Sequence, residues 1–255
     1  MSLRSVSSTL KKQHIIRSRA VFEAFMIIFE GEKHVFSADY LFEDREPVYK
    51  VARRISKGER YLASVKVTIP EGFNVYDIAD LFDAKLANFN KEKFLLNAED
   101  REGYLFPDTY FFFATDTEVD VLSSMSENFN KKIEAIRPQI IASSKVTGRT
   151  EEDLIIMASL IEGEAKGELD RELISGILWK RLGLSMPLQV DAAQETYKVK
   201  GLPESPIGNP GLLAIRAALY PQNSPYLYYL HDKDGNIHYA KNFAEHRRNV
   251  DKYLK

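Results

Sequence analysis

Thr150-Glu151-Glu152-Asp153-Leu154-Ile155-Ile156-Met157-Ala158-Ser159-Leu160-Ile161-Glu162-Gly163-Glu164 is the stretch on which the reading of this chain turns. Thr150 with Asp153 three residues on supplies a helix cap, and the acidic first turn suits the positive end of the helix dipole. The apolar residues recur at helical spacing, which predicts a helix to about Lys166. On a helical wheel, Met157, Leu160, Ile161 and Leu154 all fall within roughly 80° of Glu164. Glu164 therefore sits in the middle of an apolar face. Glu162 lies roughly 160° away, beside Ile155 and Ser159, so the two carboxylates point in nearly opposite directions.

A carboxyl held against apolar side chains resists ionisation, the condition for a general acid working near neutral pH. That nominates Glu164 as a candidate acid, with Gly163 beside it leaving room for a ligand. The alternative is that Glu164 simply emerges into solvent where the helix ends. For Glu162 the structural reading is preferred, a carboxylate paired with an arginine such as Arg171 or Arg181.

Other chemistries are poorly supplied. The chain has 255 residues and no Cys, which excludes disulfides, thiolate metal sites, iron–sulfur clusters and thiol nucleophiles. Five His without ligand spacing predict no metal. There is no G-x-S-x-G, Walker or G-x-G-x-x-G motif. Lys166 and Lys180 could form a Schiff base in principle, but no phosphate cradle accompanies either, and solvated lysines are the preferred reading. A net charge of −2 and a pI near 6.3 argue against nucleic acid as partner. With 44% hydrophobic and 28% charged residues the chain reads as globular, and no apolar run reaches membrane-spanning length. Phe22 to Phe29 is interrupted by Glu23 and bounded by Gly31. Met1-Ser2-Leu3 carries no signal pattern.

Working outward, a second helix is expected from Arg171 to Leu182, then a loop through Met186-Pro187-Leu188-Gln189-Val190-Asp191. Gly201 to Gly211 is too rich in Pro and Gly for a regular element. A helix over Leu212–Ala218, a hairpin of Tyr226–His231 and Asn236–Tyr239 around Asp234-Gly235, and a helix over Phe243–Leu254 complete this part. Upstream, Val65 to Gly72 alternates like a strand, Tyr76–Asn97 reads as helical, Gly103–Phe113 as extended, Val119–Ile136 as an amphipathic helix and Pro138–Ser144 as a short link. Near the start, Glu32–Phe42 reads as strand and Pro47–Lys57 as helix. Leu10 to Phe22 can be laid on Phe82 to Phe94, each leading to an N-cap at Ser18 or Asn90. If that repeat is genuine, the chain opens inside a strand–helix–helix unit without its first strand. Chance similarity between two helical segments is the alternative.

Several runs together resemble the endolytic murein transglycosylases of the MltG (YceG-like) type. They are Met157 to Glu164; Arg181-Leu182 with Met186 to Asp191; Gly201-Leu202-Pro203 to Ile207 with Asn209-Pro210-Gly211; Pro225-Tyr226-Leu227-Tyr228-Tyr229; and Phe243-Ala244-Glu245-His246. Tyr104 to Tyr110 and Pro70-Glu71-Gly72 also match, so order and spacing agree over residues 65–255. The resemblance implies an α+β fold, with a truncated LysM-like subdomain over residues 1–64 and a catalytic domain over 65–255, its lead-in at 65–145 and its core at 146–255. It implies cleavage of the MurNAc–GlcNAc bond within peptidoglycan strands to leave 1,6-anhydro ends, with Glu164 as the catalytic acid/base. Gln189, Asp191, Tyr197 and Asn209 become candidates for the glycan groove by motif position, with Glu162 and Arg181 in supporting roles.

The resemblance further implies no cofactor and a place on the outer face of the bacterial cytoplasmic membrane, through an N-terminal anchor absent from this chain. Peptidoglycan synthases are possible partners. A pyridoxal phosphate lyase, an older description of such proteins, is not expected. The runner-up is a non-catalytic peptidoglycan-binding scaffold. Two departures from the family pattern stand out: Ala165 replaces the usual hydroxyl residue after the catalytic Glu, and the stretch between Asp191 and Thr196 is short, so part of the groove's cover is expected to be missing.

Overall fold

The computed structural model describes residues 2–29, 40–42, 46–59, 64–164 and 170–255. The chain divides into two compact units, one of Met1–Val65 with Phe113–Thr115, the other of Lys66–Phe112 with Asp116–Lys255.

The first unit contains α1 (Leu3–Lys12), α2 (Arg19–Ile28) and α3 (Val48–Lys57). Ser18 caps α2 by accepting from the Val21 amide, and α3 stops at Gly58, whose φ of 68° suits a residue without a Cβ. Leu10, Ile16, Phe22, Met26, Val51, Ala52 and Ile55 form its core. Most of the strand expected over Glu32–Phe42 lies outside the described residues; Tyr40 and Phe42 pack against this core without forming a strand.

The boundary between the units falls within β1 (Ser64–Thr68) and at the end of β2 (Thr109–Phe113), two strands that pair with each other, and the second unit holds most of both. Between them, the helix expected over Tyr76–Asn97 is broken into α4 (Val75–Asp83) and α5 (Lys91–Ala98). Leu86 and Phe89 turn inward there, Phe89 lying against Phe82 and Phe94, and Asn90 caps the new helix by accepting from the Lys93 amide. Asn90 and Ser18 thus do the same local job, as the internal alignment suggests.

After α6 (Glu118–Glu134), the expected link over Pro138–Ser144 is instead α7 (Arg137–Thr147). Proline read as a breaker stands in the first turn, where no N–H is needed, and Gly148 ends the helix at φ 74°.

At the centre is α8 (Glu151–Glu164), capped by reciprocal Thr150 and Asp153 hydrogen bonds of 3.0 and 2.7 Å. Every residue from Leu154 to Ile161 is buried, because α9 (Arg171–Gly183) and α10 (Leu212–Leu219) both pack on it. A helix enclosed around its whole circumference has no solvated face, so both carboxylates at its end meet protein.

The irregular Gly201–Gly211 segment is tied down by Asn209. Its Oδ1 accepts from the Leu105 amide at 2.8 Å, and its Nδ2 donates to Phe73 O and Glu102 Oε1 at 3.0 and 2.7 Å. A Cβ on Gly208 would stand 2.5 Å from Gly72 O, so glycine is what allows the two loops to meet. The unit closes with the antiparallel hairpin β3 (Tyr228–His231) and β4 (Ile237–Ala240), on which α11 (Phe243–Tyr253) packs.

Candidate active site

Glu164 ends α8 at a cavity of about 460 Å³ whose lining includes Arg181, Gln189, Asp191, Tyr197, Tyr228 and Tyr229. Its carboxylate accepts the Asp191 amide on Oε1 at 2.6 Å and the Tyr229 hydroxyl on Oε2 at 3.1 Å. Both donors are neutral. Burial pushes the Glu164 carboxyl above its ordinary value, a shift that the Asp191 amide, the Tyr229 hydroxyl and, least, the Ala192 amide partly offset and the Asp191 charge reinforces. Tyr229 is held well above the ordinary phenol range, by burial first and the Glu164 charge second. It therefore stays a hydroxyl across the working pH range.

Gly163 lines the cavity, as expected of a residue that leaves room for a ligand, and it has a second use. A Cβ there would stand 2.7 Å from the Ala192 Cβ, so glycine also lets the 190s loop come close. That close approach brings the Asp191 amide onto Glu164.

The loop has its own supports. Thr196 Oγ1 accepts from the Val190 amide at 2.8 Å and donates to Ala193 O at 2.6 Å. Tyr197 donates its hydroxyl to Asp191 Oδ1, and its own pKa is pushed up to about 12 by burial and that carboxylate. Gln189 takes φ 54°, with its side-chain oxygen on Arg181 Nη2. Arg181 also donates to Pro187 O at 2.9 Å, and its guanidinium lies 5.3 Å from the Tyr228 ring centroid.

Glu162 faces away from this cavity. Its Oε1 lies 3.0 Å from Arg171 Nη2 and its Oε2 accepts the Gly211 amide at 3.0 Å. Of the two arginines considered for it, Arg171 is the partner; Arg181 belongs to the cavity.

Gln189, Asp191, Tyr197 and Arg181 are thus brought to Glu164, and Asn209 is not. Asn209 is fully buried, with its side-chain oxygen and nitrogen bonded within the protein, which corrects its reading as a groove residue. A side chain committed to three loop contacts cannot also face a ligand. Lys180 donates to Ser224 O at 3.0 Å, while Ala165 and Lys166 lie outside the described residues.

Sequence reasoning missed Tyr229, Tyr228, Phe243 and His246 as lining residues. Their motifs were visible, but no periodicity within a four-residue strand says which tyrosine meets a helix end 65 positions away. The family motif Pro225 to Tyr229 was the available signal.

The YceG-like family model matches residues 1–195 and 194–252. The match breaks within the short stretch between Asp191 and Thr196. A Bacillus subtilis (strain 168) protein named endolytic murein transglycosylase is 26% identical, with 99% of this chain and 82% of that protein covered. One of the same name from Streptococcus pneumoniae (strain D39) is 24% identical, and the chain spans 57% of its length. The 2.6 Å crystal structure of a YceG-like protein from Listeria monocytogenes shares the fold at a TM-score of 0.66 and 24% identity, covering 97% of this chain and 95% of that one. On the extent of the family match, the chain belongs to the YceG-like family.

Proposed function

We propose that this chain is an endolytic peptidoglycan lytic transglycosylase that cleaves the MurNAc–GlcNAc bond within glycan strands, with Glu164 as its acid/base. The observation that carries the reading is the placement of Glu164: a carboxyl raised by burial, exposed to a cavity and held by two neutral donors. The names of the Bacillus and Streptococcus relatives supply the substrate class.

The protonated Glu164 gives its proton to the glycosidic oxygen as the bond to the muramyl anomeric carbon breaks. The muramyl 6-hydroxyl then closes on that carbon, and the Glu164 carboxylate takes its proton, which regenerates the acid. No water is consumed, so one carboxyl suffices, unlike the pair used in most glycoside hydrolysis. The Asp191 amide is an obligate donor and occupies Oε1 in both protonation states. The Tyr229 hydroxyl can donate to the carboxylate and accept from the acid, which leaves Oε2 as the oxygen that exchanges protons. Gln189, Asp191 and Tyr197 are the proposed glycan contacts.

In the same reading, residues 1–64 form the LysM-like subdomain and 65–255 the catalytic domain. The enzyme works on the outer face of the cytoplasmic membrane, with peptidoglycan synthases as possible partners. The test is mass spectrometry of purified glycan strands incubated with the chain and with Glu164→Gln. New 1,6-anhydromuramyl ends from the unsubstituted chain alone are expected. Reducing ends would mean a hydrolase, and strands bound but uncut would mean a scaffold.

A further inference from the structure

The Phe243–His246 run is one of the family motifs, yet nothing in the acid/base chemistry uses it. The first turn of α11 brings Phe243 and His246 to the same cavity as Glu164, beside Tyr228 of β3. The His246 and Tyr228 rings are stacked, with centroids 5.2 Å apart and planes 25° from parallel. Phe243 lies 6.0 Å from Tyr228 and 6.4 Å from His246 and is 59% exposed, an uncommon position for a phenylalanine. The three rings form one aromatic cluster at the cavity, while Glu164, Gln189 and Asp191 supply polar lining.

A second observation marks the same place. His246 Nδ1 is buried and has no hydrogen-bond partner among the described residues. A buried polar atom without a partner costs free energy that a ligand group can recover. Burial, and then the Arg181 charge, lower the His246 pKa, which favours a neutral imidazole. A neutral ring can offer Nδ1 as donor or acceptor according to tautomer.

Pyranose rings have one face rich in C–H groups and an edge of hydroxyl or acetamido groups. The C–H face suits the electron-rich face of an aromatic ring, and the polar edge needs hydrogen-bonding groups. We propose that Phe243, Tyr228 and His246 form a sugar-stacking subsite that holds one N-acetylhexosamine ring of the glycan beside the scissile bond. The apolar face of the sugar lies on the rings, and a small rotation of the His246 side chain on binding brings the buried Nδ1 to one of its polar groups. The assignment rests on the transglycosylase reading for the identity of the glycan, but the binding it describes does not require turnover.

The experiment is calorimetric titration of Glu164→Gln, the full chain without turnover, with N-acetylglucosamine tetramer and with short purified glycan strands. Adding Phe243→Ala is expected to weaken binding about tenfold, the equivalent of losing one aromatic stacking contact. Adding His246→Phe, which keeps a ring but removes Nδ1, is expected to weaken it about fivefold. Phe243→Leu, which retains apolar bulk without an aromatic face, should resemble Phe243→Ala rather than the parent. In the otherwise unsubstituted chain, Phe243→Ala should raise KM for glycan strands more than it lowers kcat. Binding equal to the parent in both Phe243→Ala and His246→Phe, with melting temperatures unchanged, overturns the subsite, as does a parent that binds neither probe. If the unsubstituted chain makes no anhydro ends while binding depends on Phe243, the catalytic reading fails and the subsite stands.

Discussion

Glu162 and Glu164 are separated by one glycine on the last turn of a single helix, yet the regions on either side of that turn treat them in opposite ways. On one side Glu162 is held by a guanidinium and a backbone amide. On the other, Glu164 meets an amide, a phenol and a cavity, and burial raises its carboxyl. Under the proposed mechanism, the difference teaches that burial of a carboxyl does not by itself make an acid. What matters is whether the surroundings compensate the charge: a cation commits a carboxylate to structure, whereas neutral donors leave its proton available.

The largest test of that contrast is Glu164→Gln. The amide can keep the Asp191 and Tyr229 hydrogen bonds but cannot exchange a proton, so a loss in kcat of about a thousandfold is expected. Thermal stability should move the other way. A carboxyl whose folded pKa is raised contributes stability below its unfolded value and loses it as pH rises through the folded one. Glu164→Gln should therefore melt above the unsubstituted chain at neutral pH, with the gap closing below about pH 4, near the ordinary carboxylate value. Equal activity in the two proteins would remove Glu164 from the chemistry.

Glu162→Gln should do the reverse. Its pair with Arg171 is largely shielded, the two side chains being 6% and 12% exposed. Neutralising one partner is expected to cost about 2–3 kcal/mol, since Glu71, 4.0 Å from Arg171, retains part of the compensation. Chemical denaturation reads this as a lower midpoint at unchanged slope. If Glu162→Gln instead lost turnover with no loss of stability, the division of roles between the two sides of the turn would break.

That division was partly legible from the sequence. The helical wheel separates the two carboxylates because α8 is regular up to Glu164, and strong local periodicity survives folding. Arg171 was named as a possible partner for Glu162, but its choice over Arg181 depends on loops that converge from distant positions. Asn209 was misread for a related reason. It was assigned to the groove by motif position alone, which does not show that two other segments, at Phe73 and at 102–105, close on it. The Pro138 link failed because proline is compatible with a first helical turn as well as with a break. Tyr229 could not be singled out, since its role arises only when the hairpin meets the end of α8.

Gly163→Ala tests the turn between the carboxylates. The added methyl would overlap Ala192, and moving that loop takes the Asp191 amide away from Oε1. A displacement approaching 1 Å is expected to cost about thirtyfold to a hundredfold in kcat. Pairing it with Ala192→Gly, which removes the clashing carbon, should restore much of the rate. Failure of that pair to recover would mean that Gly163 acts through the helix end itself.

The smallest and most diagnostic change is Tyr229→Phe. It preserves the ring and removes a hydrogen bond that favours the charged form of Glu164, so the Glu164 pKa should rise further. A loss of about tenfold in kcat/KM at the optimum is expected, the equivalent of one neutral hydrogen bond. The pH profile carries the sign. In the proposed mechanism catalysis begins from protonated Glu164, so activity should fall as pH rises through its pKa, and in Tyr229→Phe that basic limb should move to higher pH. A purely structural tyrosine would lower the rate without moving the limb. A limb that moved to lower pH would mean that Tyr229 stabilises the acid rather than the carboxylate, and that Oε2 holds its proton on the tyrosine until substrate displaces it.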